Sequence, residues 1–203
     1  MKSLALKISM AVLSMIPLVA KAELIVLASP QSNDAYYAKM IDDIFDFHVD
    51  YAKKIIKNGD NVVVLTDKGL YPDYVKALGT KHVAIAPMHD IWMRDFTSAN
   101  PAQPVMFRYT AAGQGGAKKG QAISDEVQDE FKYYSQKAGL QFTQSKLLND
   151  GGNWVEDGYG NLVLSTKFLA DNKLTESEAR KKLMALTGAK QIAFIEADEQ
   201  GGL

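Results

Sequence analysis

Asp90-Ile91-Trp92-Met93-Arg94-Asp95 and, further along, Asp150-Gly151-Gly152-Asn153 hold the residues best suited to chemistry in this chain. A planar cation such as guanidinium is held by an aromatic face and by a carboxylate that accepts two parallel N–H bonds. Trp92 and Asp95 supply that pair, with Asp90 close by. Arg94 suits a bracing ion pair better than reaction. Paired glycines let backbone approach a ligand or another segment closely, so Gly151 and Gly152, flanked by Asp150 and Asn153, are candidates for the same site. By composition alone both segments also suit plain structure. The first fits a loop with a surface ion pair and a packed tryptophan, the second a turn before a hairpin.

Other candidates are weaker. Gly113-Gln114-Gly115-Gly116-Ala117-Lys118-Lys119-Gly120 is glycine-rich, but Lys118 stands where a phosphate-binding P-loop needs its second glycine, and no Gly-Lys-Ser/Thr follows. It reads as a basic surface loop. The three histidines show no metal-ligand spacing. His48 falls on the apolar stripe of a helix and reads as a satisfied core residue. His82 opens a strand, and His89 precedes Asp90 without an evident partner. The chain contains no cysteine, which removes thiolate nucleophiles, Cys-based zinc sites and disulfides from residues 1–203.

The elements that must position these residues alternate. Buried strands are expected at 23–29, 61–65, 82–86, 105–109 and 191–195, from short apolar or β-branched runs. A long helix is expected after Asn33 and Asp34, with its stripe running from Tyr37 to Ile56 and its end at Asn58-Gly59. A short helix is expected near Tyr74–Leu78. Another covers Ser124–Ala138, with Val127, Phe131, Tyr134 and Ala138 facing inward. Gly158–Asn161 turns a hairpin between 153–155 and 162–165. Thr175-Glu176-Ser177-Glu178 is a capping box that opens a helix ending at Gly188. The order is mixed α/β, with no linker dividing it and no strict repeat.

Residues 1–22 have the form of a secretory signal peptide. Lys2 and Lys7 form a positive start, Ile8–Ala20 a mostly apolar run, and Ala20-Lys21-Ala22 a cleavage site before Glu23. The apolar run is shorter than the ~18–20 residues that a membrane span needs. The expectation is an exported product, periplasmic or secreted, not embedded in the membrane after cleavage. Three of the 23 basic residues lie in this segment, leaving 20 against 24 acidic ones, a net of −4. Such a balance gives no electrostatic footprint for nucleic acid. Residues 23–203 suffice for one domain. The oligomeric state is not set by anything in the sequence.

Taken together, Asp90-x-Trp92-x-Arg94-Asp95, Gly151-Gly152-Asn153 and Asp157-Gly158-Tyr159-Gly160-Asn161-Leu162-Val163-Leu164-Ser165-Thr166 resemble the agmatine deiminase and bacterial peptidylarginine deiminase family of the guanidino-group-modifying superfamily. The resemblance runs from about Glu23 to Glu199. It implies a pentein-like α/β propeller with pseudo-fivefold symmetry, of which this chain carries about three of five units. It implies a ligand that is a small guanidino compound or an arginine side chain. Asp95 would bind the guanidinium, Trp92, Asp90, Gly151, Gly152 and Asn153 would line the site, and Arg94 would be structural. Asp150 stands where the family often has glutamate, one methylene longer. No metal or cofactor is implied. The family hydrolyses a guanidinium C–N bond through a cysteine thiolate and a His-x-Asp pair. Neither is present here, so the resemblance also implies an N-terminal part of such a domain that lacks deiminase activity. The alternatives are a periplasmic guanidino- or arginine-binding module and an inactive fragment.

Overall fold

The computed structural model describes residues 23–97, 104–110 and 114–197. The signal peptide expected at 1–22 lies outside the described residues. Among those described, no helix is long and apolar enough to cross a membrane.

Among the described residues, three small sheets follow one another along the chain. The first holds β1 (Leu24–Ala28), β2 (Asn61–Thr66) and β3 (Val83–Ile85), all parallel. Helix α1 (Ile41–Asn58) joins β1 to β2, and α2 (Tyr71–Leu78) leads to β3. A single turn, α3 (Met93–Phe96), precedes the second sheet, in which β4 (Val105–Tyr109) lies parallel to β5 (Thr143–Asn149) across α4 (Ala117–Lys137). In the third, β6 (Val155–Glu156) runs antiparallel to β7 (Asn161–Ser165). Strand β7 is parallel to β8 (Gln191–Ile195) across α5 (Lys167–Asn172) and α6 (Glu176–Thr187). Each sheet thus contains a parallel pair connected through helix, which is the three-unit organisation expected.

Strand β4 ties two cores together. Val105 and Phe107 pack with Trp154, Leu162, Leu164, Phe168 and Leu183 of the third unit. Met106 and Tyr109 pack with Ala28, Met88, Phe96 and Phe131 instead. A strand buried on both faces reads as a near-continuous apolar run rather than an alternation, and VMFRY does so except at exposed Arg108, which pairs with Asp125. Gln128 stitches α4 to this strand from inside: its Nε2 donates to Phe96 O (3.0 Å) and Phe107 O (2.7 Å), and its Oε1 accepts from Tyr109 N (3.2 Å). His48 is buried, with Nδ1 3.1 Å from Tyr74 Oη, as a core histidine should be.

Local signals placed several elements closely. β4 and β8 match their expected bounds, and the capping box at Thr175 has both of its reciprocal bonds. A cap of this kind contributes about 1 kcal/mol. Where the structure differs, tertiary bonds explain the difference. Asp34 does not cap α1. Its Oδ1 accepts from Tyr36 N (2.8 Å) and Tyr37 N (3.4 Å) in a turn, and α1 starts later, at Ile41. Helix α4 starts at Ala117 rather than Ser124, so the described part of the glycine-rich segment runs into a helix instead of forming a surface loop. Gln121 Nε2 donates to Tyr109 O (2.8 Å) and Ser124 Oγ to Thr110 O (2.9 Å). These bonds to the end of β4 hold two extra helical turns against the weak propensity of Gly120.

Candidate functional site

Four strand ends point to one place. The chain leaves β1 toward Asp34 and Tyr37, β3 toward Asp90 and Trp92, β4 at Tyr109, and β5 at Asp150. At the first three of these ends lies a cavity of about 670 Å³, lined by residues including Tyr37, Asp90, Trp92, Asp95, Tyr109 and Gln114; Asp150, Gly151, Gly152 and Asn153, expected to line the site, are not among its lining residues. Crevices at the carboxyl ends of strands are where α/β folds place ligands. Among the described residues the lining contains no lysine or arginine.

The short helix α3 sets the first motif. Met93 and Phe96 are buried and anchor its inner face, so Arg94 and Asp95 must point elsewhere. Arg94 donates from Nη2 to Trp154 O at 2.7 Å, linking α3 to the third unit. Trp92 stays 62% exposed at the cavity wall.

The second motif meets the first directly. Gly151–Asn153 forms one 3₁₀ turn, capped by Asp150, whose Oδ1 accepts from Asn153 N at 2.8 Å. Gly152 N donates to Asp95 Oδ1 at 3.1 Å. A Cβ on Gly151 would lie 1.8 Å from the Arg94 carbonyl oxygen, so only glycine permits this approach. Two segments more than fifty residues apart are therefore in backbone contact, and the contact places Asp95 beside Asp150.

The electrostatics follow from that placement. Burial raises the Asp95 carboxyl above the usual carboxylate range, and the neighbouring Asp150 and Asp90 push it the same way, against the Gly152 N–H and Arg94. The buried Tyr109 phenol is pushed up to about 12 by burial and by the charges of Asp90, Asp95 and Asp150. One hydroxyl thus feels all three carboxylates. A planar cation set among them would relieve their mutual repulsion.

Two residues expected to face a ligand have their polar atoms engaged by the protein. Asn153 Oδ1 accepts from Ser165 N (2.7 Å) and its Nδ2 donates to Asn149 Oδ1 (3.1 Å), which fixes the turn to the end of β7. Asp90 accepts from four donors, named below. Sequence reasoning did not single out Tyr37, Tyr109 or Gln114 as site residues. Tyr109 closes a buried strand, as Asp90 follows one, so the same strand-end rule applied to β4 would have found it. Asp150 follows β5, a strand (TQSKLLN) too poor in β-branched residues to be read from sequence. His89, for which no partner was expected, has Nε2 3.8 Å from both Glu126 Oε1 and Glu130 Oε2. Among the described residues no group of three or more His, Cys, Asp or Glu is arranged to hold a metal ion.

Residues 14–201 match a family described as Porphyromonas-type peptidyl-arginine deiminase. Among solved structures, the chain is similar to the agmatine deiminase of C. jejuni, with a TM-score of 0.65 and 19% identity over 87% of this chain and 53% of that one. It is similar to a substrate-bound variant of the same enzyme, with a TM-score of 0.63 and 18% identity over 87% of this chain and 54% of that one. It is also similar to the agmatine deiminase of Enterococcus faecalis, with a TM-score of 0.62 and 14% identity over 89% of this chain and 53% of that one. The chain spans about half the length of these proteins, and its fold is a partial α/β propeller of their kind. No curated protein matches the sequence.

Proposed function

The chain belongs to the Porphyromonas-type peptidyl-arginine deiminase family, and on that premise we propose that residues 23–197 build the guanidinium-holding wall of a C–N hydrolase site. The observation that carries this reading is the convergence of the Asp90, Asp95 and Asp150 charges around Tyr109 beside a cavity whose lining, among the described residues, has no lysine or arginine. Asp95 presents carboxylate oxygens to the guanidinium, the charge of Asp150 beside it adds to the attraction, and Trp92 offers its face at the wall. Arg94 and Asn153 hold the two motifs in place. The ligand is a small guanidino compound or an arginine side chain.

In the complete reaction of such a site, a thiolate attacks the guanidinium carbon and ammonia leaves. Water then displaces the sulfur, giving a urea group and regenerating the thiolate. The carboxylates keep the positive charge in register while the tetrahedral centre forms. Residues 1–203 contain no cysteine, so this chain supplies the binding half of that chemistry and not the nucleophile. The same fact favours a second reading, a guanidino-binding module. Calorimetry with agmatine and with an arginine peptide tests the binding claim. Saturable heat is expected with at least one of them and none with the matching uncharged urea. No heat with either guanidino ligand would sink the proposal. In parallel, ammonia release should stay at the blank.

The pH dependence has a definite sign. Asp95 must be ionised to hold a cation, and its carboxyl lies above the usual carboxylate range in the free protein. Affinity therefore falls as pH is lowered through that raised value, earlier than an ordinary aspartate would cause. Binding within the window between the ordinary and raised values releases a proton. Calorimetry in buffers of different ionisation enthalpy measures that release. Uptake instead of release would contradict the assignment of Asp95.

We further propose that residues 1–22 direct export, which supports a periplasmic or secreted site of action. A mature product whose first residue is Glu23 is the expected result of N-terminal sequencing, and an exported product still carrying residues 1–22 would refute cleavage.

A further inference from the structure

We infer that Asp90 is a positioning residue, which holds Trp92 and its loop at the cavity wall rather than contacting the ligand; this rests on reading the cavity as a guanidinium site. Asp90 is only 8% exposed. Its Oδ1 accepts from its own loop at Ile91 N (2.7 Å) and Trp92 N (3.4 Å), and from Tyr37 Oη (3.2 Å) in the β1–α1 connection. Its Oδ2 accepts from Gln114 Nε2 (2.9 Å), just before α4. A carboxylate offers about four lone-pair sites, two on each oxygen; three donors crowd Oδ1 and one takes Oδ2, so three separate segments engage both oxygens.

Its neighbours differ. Among the described residues, Asp95 accepts one hydrogen bond, from Gly152 N, and Asp150 accepts from Asn153 N. Both keep acceptor capacity, and Asp95 lines the cavity while Asp150 stands beside Asp95 outside the lining. The three carboxylates therefore divide their tasks: Asp95 faces the cation with the charge of Asp150 beside it, while Asp90 joins the first unit, the Trp92 loop and the start of α4.

That division separates charge from shape. An amide at position 90 keeps an oxygen for the two loop N–H groups and for Tyr37. Its NH₂ can donate to Gln114 once the Gln114 amide turns over. Asp90→Asn therefore preserves the junction and removes the charge, whereas Asp90→Ala releases all four donors. Trp92 reports on the junction directly. The chain has two tryptophans, and Trp154 is buried at 1% exposure, so a soluble quencher reads Trp92.

The test is acrylamide quenching of the ligand-free whole chain, with agmatine calorimetry beside it. Asp90→Ala should raise the quenching constant, by less than about twofold because Trp92 is already 62% exposed, and weaken agmatine by about tenfold or more, as expected for losing hydrogen bonds to a charged group. Asp90→Asn should stay within about threefold of the parent in both. Asp95→Asn should weaken binding with quenching unchanged. If Asp90→Asn loses agmatine as fully as Asp90→Ala, Asp90 is a ligand and the inference fails. Unchanged quenching in Asp90→Ala overturns it as well. If Asp90→Ala does not fold, Gln114→Ala removes one donor and should raise quenching to a smaller extent; no rise overturns the inference. A parent chain that binds no agmatine refutes the guanidinium reading, and the quenching comparison still decides the positioning role.

Discussion

Asp95→Asn should weaken guanidino binding about 10- to 100-fold while leaving the fold intact. A hydrogen bond to a charged partner contributes about 1.5–3 kcal/mol, and the variant removes the charge on which the cation is centred. Stability should move the other way. The folded-state carboxyl lies above its usual range because of burial and of Asp150 and Asp90. Ionising Asp95 therefore costs stability as pH rises through the window between the unfolded and folded values, and the full cost remains above it. The neutral amide escapes this cost and still offers an oxygen to Gly152 N. The variant should thus melt at or above the parent temperature near neutral pH, with agmatine affinity largely lost. Thermal melts and calorimetry on the same preparations check both halves. Affinity within about twofold of the parent would remove Asp95 from the site.

Gly151→Ala should be the most damaging single-methyl change near the cavity. The new Cβ would sit 1.8 Å from the Arg94 carbonyl oxygen and 2.6 Å from its carbonyl carbon. These are backbone atoms and cannot swing aside. Either α3 or the 3₁₀ turn must move, and overpacking of this kind costs about 1–3 kcal/mol. For a domain of this size that lowers the melting temperature by roughly 2–12 °C. The shift also pulls Gly152 N from Asp95, so binding falls too. Gly152→Ala is the informative contrast. Its Cβ would meet Asp150 Oδ1 at 3.3 Å and Asp95 Oδ1 at 3.4 Å, both side-chain atoms that can yield. Stability should change little there. Equal melting temperatures for the two variants would refute the backbone approach as the reason for Gly151.

Much of the scaffold was legible because its causes are local. Val105–Tyr109 and Gln191–Ile195 are short apolar runs, and the Thr175–Glu178 box closes within one turn. Elements whose causes are distant were misplaced or missed. Helix α4 extends to Ala117 because Gln121 and Ser124 find carbonyls at the end of β4. Strand β5 exists because β4 offers it a ladder. Helix α3 is one turn held by two buried side chains, too short for a periodic signal.

The residue types of the site were likewise visible: the Trp-x-Arg-Asp group, the paired glycines and the absence of cysteine are facts of sequence. Their division of labour was not. Asp90, Asp95 and Asp150 are the same side chain three times. What separates them is how many donors each one meets, and those donors come from Tyr37, Gln114 and Gly152, 24 to 57 residues away along the chain. Hydrogen-bond saturation and burial are properties of neighbours in space. The sequence by itself therefore determined which chemistry was available, and only the tertiary structure decided which carboxylates are left open to perform it.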